Sequence, residues 1–257
     1  MVSFFVVILY LFMQMSFMWG LYRILKNPSV VDVSWSLGLM ISGLLYLGSA
    51  PLNSRTLVIG SLLILWALRL AFYLWFTRIR KGEVDKRYTE LSSGWKISPS
   101  LGFFINFQFQ GILILVISSV FFLISRAALS HFVLLDYIAF ALCVAGIVGE
   151  TIADWQLQNF KATYKGEVCN VGLWGYSRHP NYFFDWCCWL GFALFALSSK
   201  WGYLSLLSPF VLYIIFTRIT GPMTESGSLK SRGQKYHQYQ KRTSMFFPWF
   251  KKKSDFE

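Results

Sequence analysis

The chain has 257 residues, of which 55% are hydrophobic and 14% charged. A soluble domain carries charge on about a quarter of its residues, so this composition excludes an ordinary water-soluble fold. The net charge of +12 raises nucleic acid as a partner, but the placement of the charge points elsewhere.

Seven apolar runs, roughly 3–22, 30–50, 56–77, 102–125, 131–153, 182–198 and 201–219, each approach the ~20 residues that cross a bilayer core. The sixth is the shortest and fits a tilted or partly re-entrant segment. The first lacks a basic start and a small-residue cleavage site, so it is expected to stay as a helix rather than act as a signal peptide. The expected fold is all-α: an integral membrane bundle of about seven transmembrane helices, a single domain over 1–257, with a short basic cytoplasmic tail. We find no internal repeat and no low-complexity linker.

Lysine and arginine number 2, 6, 3 and 9 in the links after segments one, three, five and seven, and one in each of the other links. By the positive-inside rule the N-terminus is outside and the C-terminus cytoplasmic. Topology and membrane lipids account for the charge, and no nucleic acid is expected. The four cysteines form no C-x-x-C pair and no ligand cluster, so neither a disulfide framework nor a metal site is expected.

In chain order, segment one carries a lone Gln14. Asn27-Pro28-Ser29 marks a turn and a helix start, which puts Asp32 in the first turn of segment two and Ser36 one turn on. Asp32 then either complements the helix dipole or is an acid facing a cavity. Arg69 lies inside segment three, with Trp66 and Tyr73 on its face. It either snorkels or pairs with an intramembrane acid such as Asp32. The next loop contains Asp85-Lys86-Arg87-Tyr88. At the end of segment five, Glu150, Asp154, Gln158 and Lys161 fall within 80° of one helix face, a polar stripe that leaves the membrane.

The densest stretch runs from Gly172 to Trp189 and packs Tyr176, Arg178, His179, Asn181, Tyr182 and Asp185 beside an apolar run. Polar groups at that depth are expensive and mark function. His179-Pro180 breaks regular structure, and Asn181 and Asp185 share a face of the helix that follows. After segment seven come Gly221-Pro222, then Glu225, Arg232, Lys235, Tyr236, Tyr239 and Arg242. Phe246-Phe247-Pro248-Trp249-Phe250 beside three lysines fits a helix lying in the membrane interface.

Gly-Leu-Trp-x-Tyr-Ser-Arg-His-Pro-Asn-Tyr-x-x-Asp, from Gly172 to Asp185, resembles the C-terminal signature of the membrane steroid 5-alpha-reductase and sterol C14-reductase group. Trp66-x-x-Arg69-Leu70, Asp85-x-Arg87-Tyr88, Asp154-x-Gln156-x-x-x-Phe160-Lys161 and Tyr239-x-x-Arg242-Thr243 are similar to its 5-alpha-reductase-like branch. Isoprenylcysteine carboxyl methyltransferases share a related Arg-His-Pro stretch. The resemblance implies a seven-helix enzyme that binds NADPH through about 145–250. Asp154, Gln158 and Lys161 would meet the adenosine and phosphates, with Glu150 nearby. Tyr176, Arg178, His179, Asn181 and Asp185 would line the diphosphate and nicotinamide. Glu225, Arg232, Tyr236, Tyr239 and Arg242 would close the pocket.

Trp66 stands where steroid reductases carry a carbonyl-polarising tyrosine, and Asp32 is the counterpart of its assisting glutamate. Asp32, Tyr73, Tyr88 and Asp185 are therefore the expected donors or proton carriers, and Trp35, Trp66 and Arg69 are expected to face substrate. The resulting expectation is an NADPH-dependent reductase of a carbon–carbon double bond in a hydrophobic lipid or steroid-like substrate. The alternatives are an S-adenosylmethionine-dependent methyltransferase and a non-catalytic lipid-binding protein of the same fold.

Overall fold

The computed structural model describes residues 4–82, 84–127, 129 and 131–251. Lys252 and Lys253 of the expected basic tail lie outside them. Among the described residues every regular element is helical: α1 (Phe4–Leu25), α2 (Val30–Leu47), α3 (Ser54–Leu74), α4 (Lys86–Ser93), α5 (Pro99–Arg126), α6 (Leu134–Thr163), α7 (Pro180–Ala196), α8 (Leu207–Ile214), α9 (Gly221–Arg232) and α10 (Gln234–Arg242).

The helix starts follow from local chemistry. The Asn27 side chain accepts from Ser29 N at 3.0 Å before α2. Asn53 and Thr56 form a reciprocal capping box on α3, which satisfies two orphan donors of its first turn. Ser98 caps α5 ahead of Pro99, whose missing N–H costs nothing at a first helical position.

Among the described residues, six helical stretches are long and apolar enough to cross a membrane: Phe4–Leu25, Val30–Leu47, Ser54–Ile79, Pro99–Arg126, Leu134–Thr163 and Gly202–Arg232. The chain is a multi-pass membrane protein. The run expected as the sixth of seven forms α7, whose 17 residues span about 26 Å at 1.5 Å per residue, short of a ~30 Å hydrocarbon core.

The described chain divides into two compact units, residues 1–139 with 192–208 and residues 140–191 with 209–257. In the first, α2 packs against α1, α3 and α5. Gln14 Nε2 donates to Ser34 Oγ, and the Phe4 and Tyr46 rings lie 5.5 Å apart, which makes α1 and α2 antiparallel. Gly43 permits close approach, because a Cβ there would stand 2.5 Å from Leu63 and 2.7 Å from Phe121. Leu39, Tyr46, Leu63, Trp66, Phe107 and Phe121 are fully buried around this contact.

The same unit holds an ion pair absent from the sequence reading. Arg55 donates from Nε and Nη2 to the two Asp136 oxygens at 2.9 Å each, and from Nη2 to Phe195 O at 2.5 Å. Both side chains are essentially inaccessible, at 1% and 0%. A paired arginine is the only stable form of so deeply buried a charge.

In the second unit α6 meets the first part of α7 at Gly146 and Gly149. A Cβ on Gly146 would come within 2.6 Å of Cys188 N and 2.7 Å of Phe184 O. The aromatic stretch Phe246–Phe250, expected to be an interfacial helix, is not helical. It runs beside the Gly172–Pro180 segment instead, with a bridge between Ser177 and Ser244 and a Trp249 N to Tyr176 O bond of 2.9 Å. Those tertiary bonds replace the intrahelical ones.

One short repeat escapes the sequence reading. Tyr-x-x-Phe-Thr-Arg-Ile occurs at Tyr73–Ile79 and again at Tyr213–Ile219. Each copy forms a π-helical turn, over Trp75–Ile79 and Ile215–Thr220. In each, the threonine hydroxyl donates to the tyrosine carbonyl four residues back, at 2.6 and 2.7 Å. Such back-bonding competes with the α-helical ladder. The turns close on five-residue backbone bonds, Arg80 N to Trp75 O and Gly221 N to Phe216 O.

Candidate functional site

In the second unit the polar stripe expected on α6 forms as a continuous helical face. Glu150 and Asp154 are buried, Gln158 is half-buried and Lys161 is exposed. On α7, Asn181 Nδ2 donates to Asp154 Oδ1 at 3.3 Å. Asn181 Oδ1 is buried and finds no hydrogen-bond partner among the described residues. Asp185 lies one turn further along α7 and is buried. Buried carboxylates accept hydroxyl and amide N–H donors, and an open amide oxygen accepts one more.

The segment before α7 is built by short-range constraints. Gly172 holds a φ of 56°, a left-handed value that favours glycine, and the Gln156 side chain packs directly against it. Gln156 Oε1 accepts from Leu173 N at 2.9 Å, and the Trp174 indole donates to Ala153 O at 2.9 Å. These bonds fasten the segment to α6.

Arg178 and Glu225 form the centre of the unit. Arg178 donates from Nε to Glu225 Oε1 at 2.6 Å and from Nη2 to Oε2 at 3.2 Å. Its Nη1 donates to Gln240 O and Thr243 O at 3.0 and 2.7 Å. Glu225 also takes Gln240 Nε2 at 2.6 Å and meets His179 Nε2 at 3.1 Å. The bidentate pair carries both geometry and energy. The His179 ring stacks on Tyr182, and Tyr182 on Phe216, with centroids 5.1 and 4.8 Å apart. Tyr239 Oη donates to Trp174 O at 2.6 Å. Burial, and after it the neighbouring Tyr236, push the Tyr239 phenol far above its ordinary pKa, so it remains a donor.

A cavity of about 410 Å³ opens beside this centre, walled by Glu225, Ser226 and Lys230 on α9 and by Gln240 and Met245. Other expected residues stand apart. Tyr176 is exposed, with its ring 6.3 Å from Phe250. Arg232 donates to Glu167 O at 3.0 Å, Tyr236 is buried against Tyr239, and Arg242 is exposed. Gln156, Trp174, Ser177, Gln240 and Thr243 take part without having been expected. Gln156, Trp174, Ser177 and Thr243 stand inside motifs already quoted, so spacing offered a signal for those four. Gln240 acts through a side-chain bond to Glu225 and its backbone carbonyl, which no periodicity reveals.

The first unit has its own polar cluster. Asp32 Oδ1 accepts from Tyr88 Oη at 2.7 Å, and Oδ2 accepts from Arg78 and from Arg87, the latter at 3.2 Å. Asp85 caps α4 and takes Arg87 Nε and Nη2 at 3.0 and 2.9 Å. Burial alone would raise the Asp85 pKa, but the charges of Arg87 and Arg78 and the Arg87 hydrogen bonds hold it at about 2. Burial, reinforced by the Asp32 charge, pushes the Tyr88 phenol well above its usual range. The Tyr88 phenol is thus kept protonated against the Asp32 carboxyl.

Within the same unit Trp66 is fully buried, whereas Trp35, Arg69 and Tyr73 are half-buried. Along α1 and α2, Tyr10 Oη, Gln14 Oε1, Ser42 Oγ and Tyr46 Oη are buried with no hydrogen-bond partner among the described residues. That is uncommon, since buried polar atoms are nearly always satisfied.

No curated protein and no solved structure matches the chain. A family profile described as a protein of unknown function, DUF1295, matches residues 18–243. That stretch takes in both polar clusters, and the chain belongs to this family.

Proposed function

We propose that the protein is an NADPH-dependent membrane reductase that saturates a carbon–carbon double bond in a lipid or steroid-like substrate. The observation that carries this reading is the line of buried Glu150, Asp154 and Asp185 with half-buried Asn181, where α6 faces α7. The residues fit the cofactor's chemistry. Asp154 and Glu150 suit ribose hydroxyls, the open Asn181 amide oxygen suits a carboxamide N–H, and Lys161 and Lys230 supply positive charge for phosphates. Arg178 and His179 serve by holding Glu225 and the chain after α10 in place. NADPH, when bound, supplies the hydride.

In this reading the substrate meets the first unit at Tyr10, Gln14, Ser42 and Tyr46, whose buried side-chain oxygens find no hydrogen-bond partner among the described residues. They are hydrogen-bonding groups in an apolar bundle, suited to a lipid that carries a hydroxyl or carbonyl. Asp32 and Tyr88 are the candidate proton carriers, because a phenol bonded to a carboxylate holds one transferable proton. In this reading α7 is the seventh crossing and the C-terminus is cytoplasmic, where the positive charge concentrates.

Titration of the purified protein with NADPH, followed by nicotinamide fluorescence, tests the reading. Binding is expected, weakened about tenfold or more by Asp154→Asn or Asn181→Ala, since each removes a hydrogen bond to cofactor or its orientation. Folded protein that ignores NADPH but binds S-adenosylmethionine would contradict it.

A further inference from the structure

The two copies of Tyr-x-x-Phe-Thr-Arg-Ile fold alike but spend their arginines differently. Arg78 is consumed by Asp32 and Asp85. Arg218, in the same place in its copy, is exposed and makes no hydrogen bond or ion pair among the described residues. It opens onto a groove of about 340 Å³, walled by Tyr213, Thr217 and Arg218 on one side and by the Ser244–Phe247 stretch on the other. The groove contains no carboxylate.

Its chemistry is two-sided. Arg218 and the Tyr213 hydroxyl, which makes no hydrogen bond among the described residues, supply a cation and a donor. Phe246 and Phe247 supply an apolar wall, and Phe247 is 48% exposed. The groove sits where the apolar part of the Gly202–Arg232 span gives way to Thr217, Arg218, Thr220 and Thr224, the depth of lipid headgroups in a membrane. Trp249 and Phe250 nearby in the chain are exposed, and Lys251 follows them. Aromatics and basic residues together are the composition of a membrane-interface belt.

We infer that this groove is a binding site for the phosphate headgroup of an anionic phospholipid. Arg218 pairs with the phosphate as Arg78 pairs with its carboxylates, and Phe246 and Phe247 meet the first carbons of the acyl chains. Guanidinium is the group suited to such an oxyanion in a partly dry setting. The inference is independent of the reductase reading, since none of these residues is assigned to cofactor or substrate.

The test is native mass spectrometry of the full chain in detergent, with added phosphatidylglycerol or phosphatidylcholine of identical acyl chains. Phosphatidylglycerol should be retained about tenfold better, a difference of about 1.4 kcal/mol. Arg218→Gln should abolish that preference, and Ser244→Asp, which adds a carboxylate to the wall, should do the same. Lys241→Gln, an exposed charge elsewhere in the unit, should leave it intact. Inorganic phosphate and glycerol 3-phosphate at the lipid's concentration should not displace the bound lipid. Equal retention of the two lipids, or an unchanged preference in both Arg218→Gln and Ser244→Asp, overturns the inference. Displacement by free phosphate also overturns it and assigns the groove to a soluble anion.

Discussion

Arg55 and Asp136 illustrate how a single charge is judged by its surroundings. From the sequence, Arg55 is one of few positive charges on its side of the membrane and Asp136 one acid in an apolar run. In the structure they form a bidentate pair with almost no exposure. Removing one partner strands the other, so Arg55→Ala or Asp136→Ala should each destabilise the protein by about 3–5 kcal/mol. Replacing both, as Arg55→Met with Asp136→Leu, should cost far less. Unfolding of the four proteins in mixed micelles checks this, and additive single effects would argue against a direct pair. Asp85 offers a second check, through pH. Its folded pKa is lowered, from 3.8 to about 2. Its stabilising share is therefore present above pH 4 and lost as pH falls towards 2, and amounts to about 2 kcal/mol. Acid titration of tryptophan emission should show loosening in that window, diminished in Asp85→Asn.

Helices α6 and α7 come together because Gly146 on α6 leaves room for α7's backbone and Gly149 leaves room for the Phe184 ring. Gly146→Ala should cost about 1–3 kcal/mol, since its Cβ would press on Cys188 N and Phe184 O rather than on a movable side-chain tip. Gly20 on α1, with nothing within 4 Å of a Cβ, is the matched control, and Gly20→Ala should be neutral or slightly stabilising. Retention of the folded peak after heating in detergent distinguishes the two. The elements also show what a sequence can and cannot display. The α2 start after Asn27-Pro28-Ser29 and the polar face of α6 were legible, because local turn chemistry and helical period set them. The non-helical course of Phe246–Phe250 was not, because its bonds go to Tyr176 and Ser177, about seventy positions away. The π turns were hidden for another reason. Thr77 and Thr217 look like ordinary helix residues until their hydroxyls are seen bonded four residues back.

The membrane nature of the whole chain was legible from composition alone, since several apolar runs of about twenty residues leave no other solvent for them. The number of crossings was less so, because α7 forms as a helix but falls short of a full span. For the candidate site, the sequence brought forward stretches whose residues meet in the structure: Asp154 with Asn181, Arg178 with Glu225 and Asp32 with Tyr88 form hydrogen-bonded pairs. It did not show that Arg178 is fully engaged within the protein, because carbonyl acceptors such as Gln240 O and Thr243 O leave no trace in residue type.

Isotope transfer measures the proposed hydride transfer to a lipid most directly. Protein reconstituted with a membrane lipid extract would be supplied with NADPH deuterated at the transferable position, and the lipids analysed by mass spectrometry. The expected result is a lipid that loses one double bond and gains one deuterium, with Asp154→Asn abolishing the product while leaving the protein folded. Folded, NADPH-supplied protein that transfers no deuterium to any lipid in the extract would contradict it.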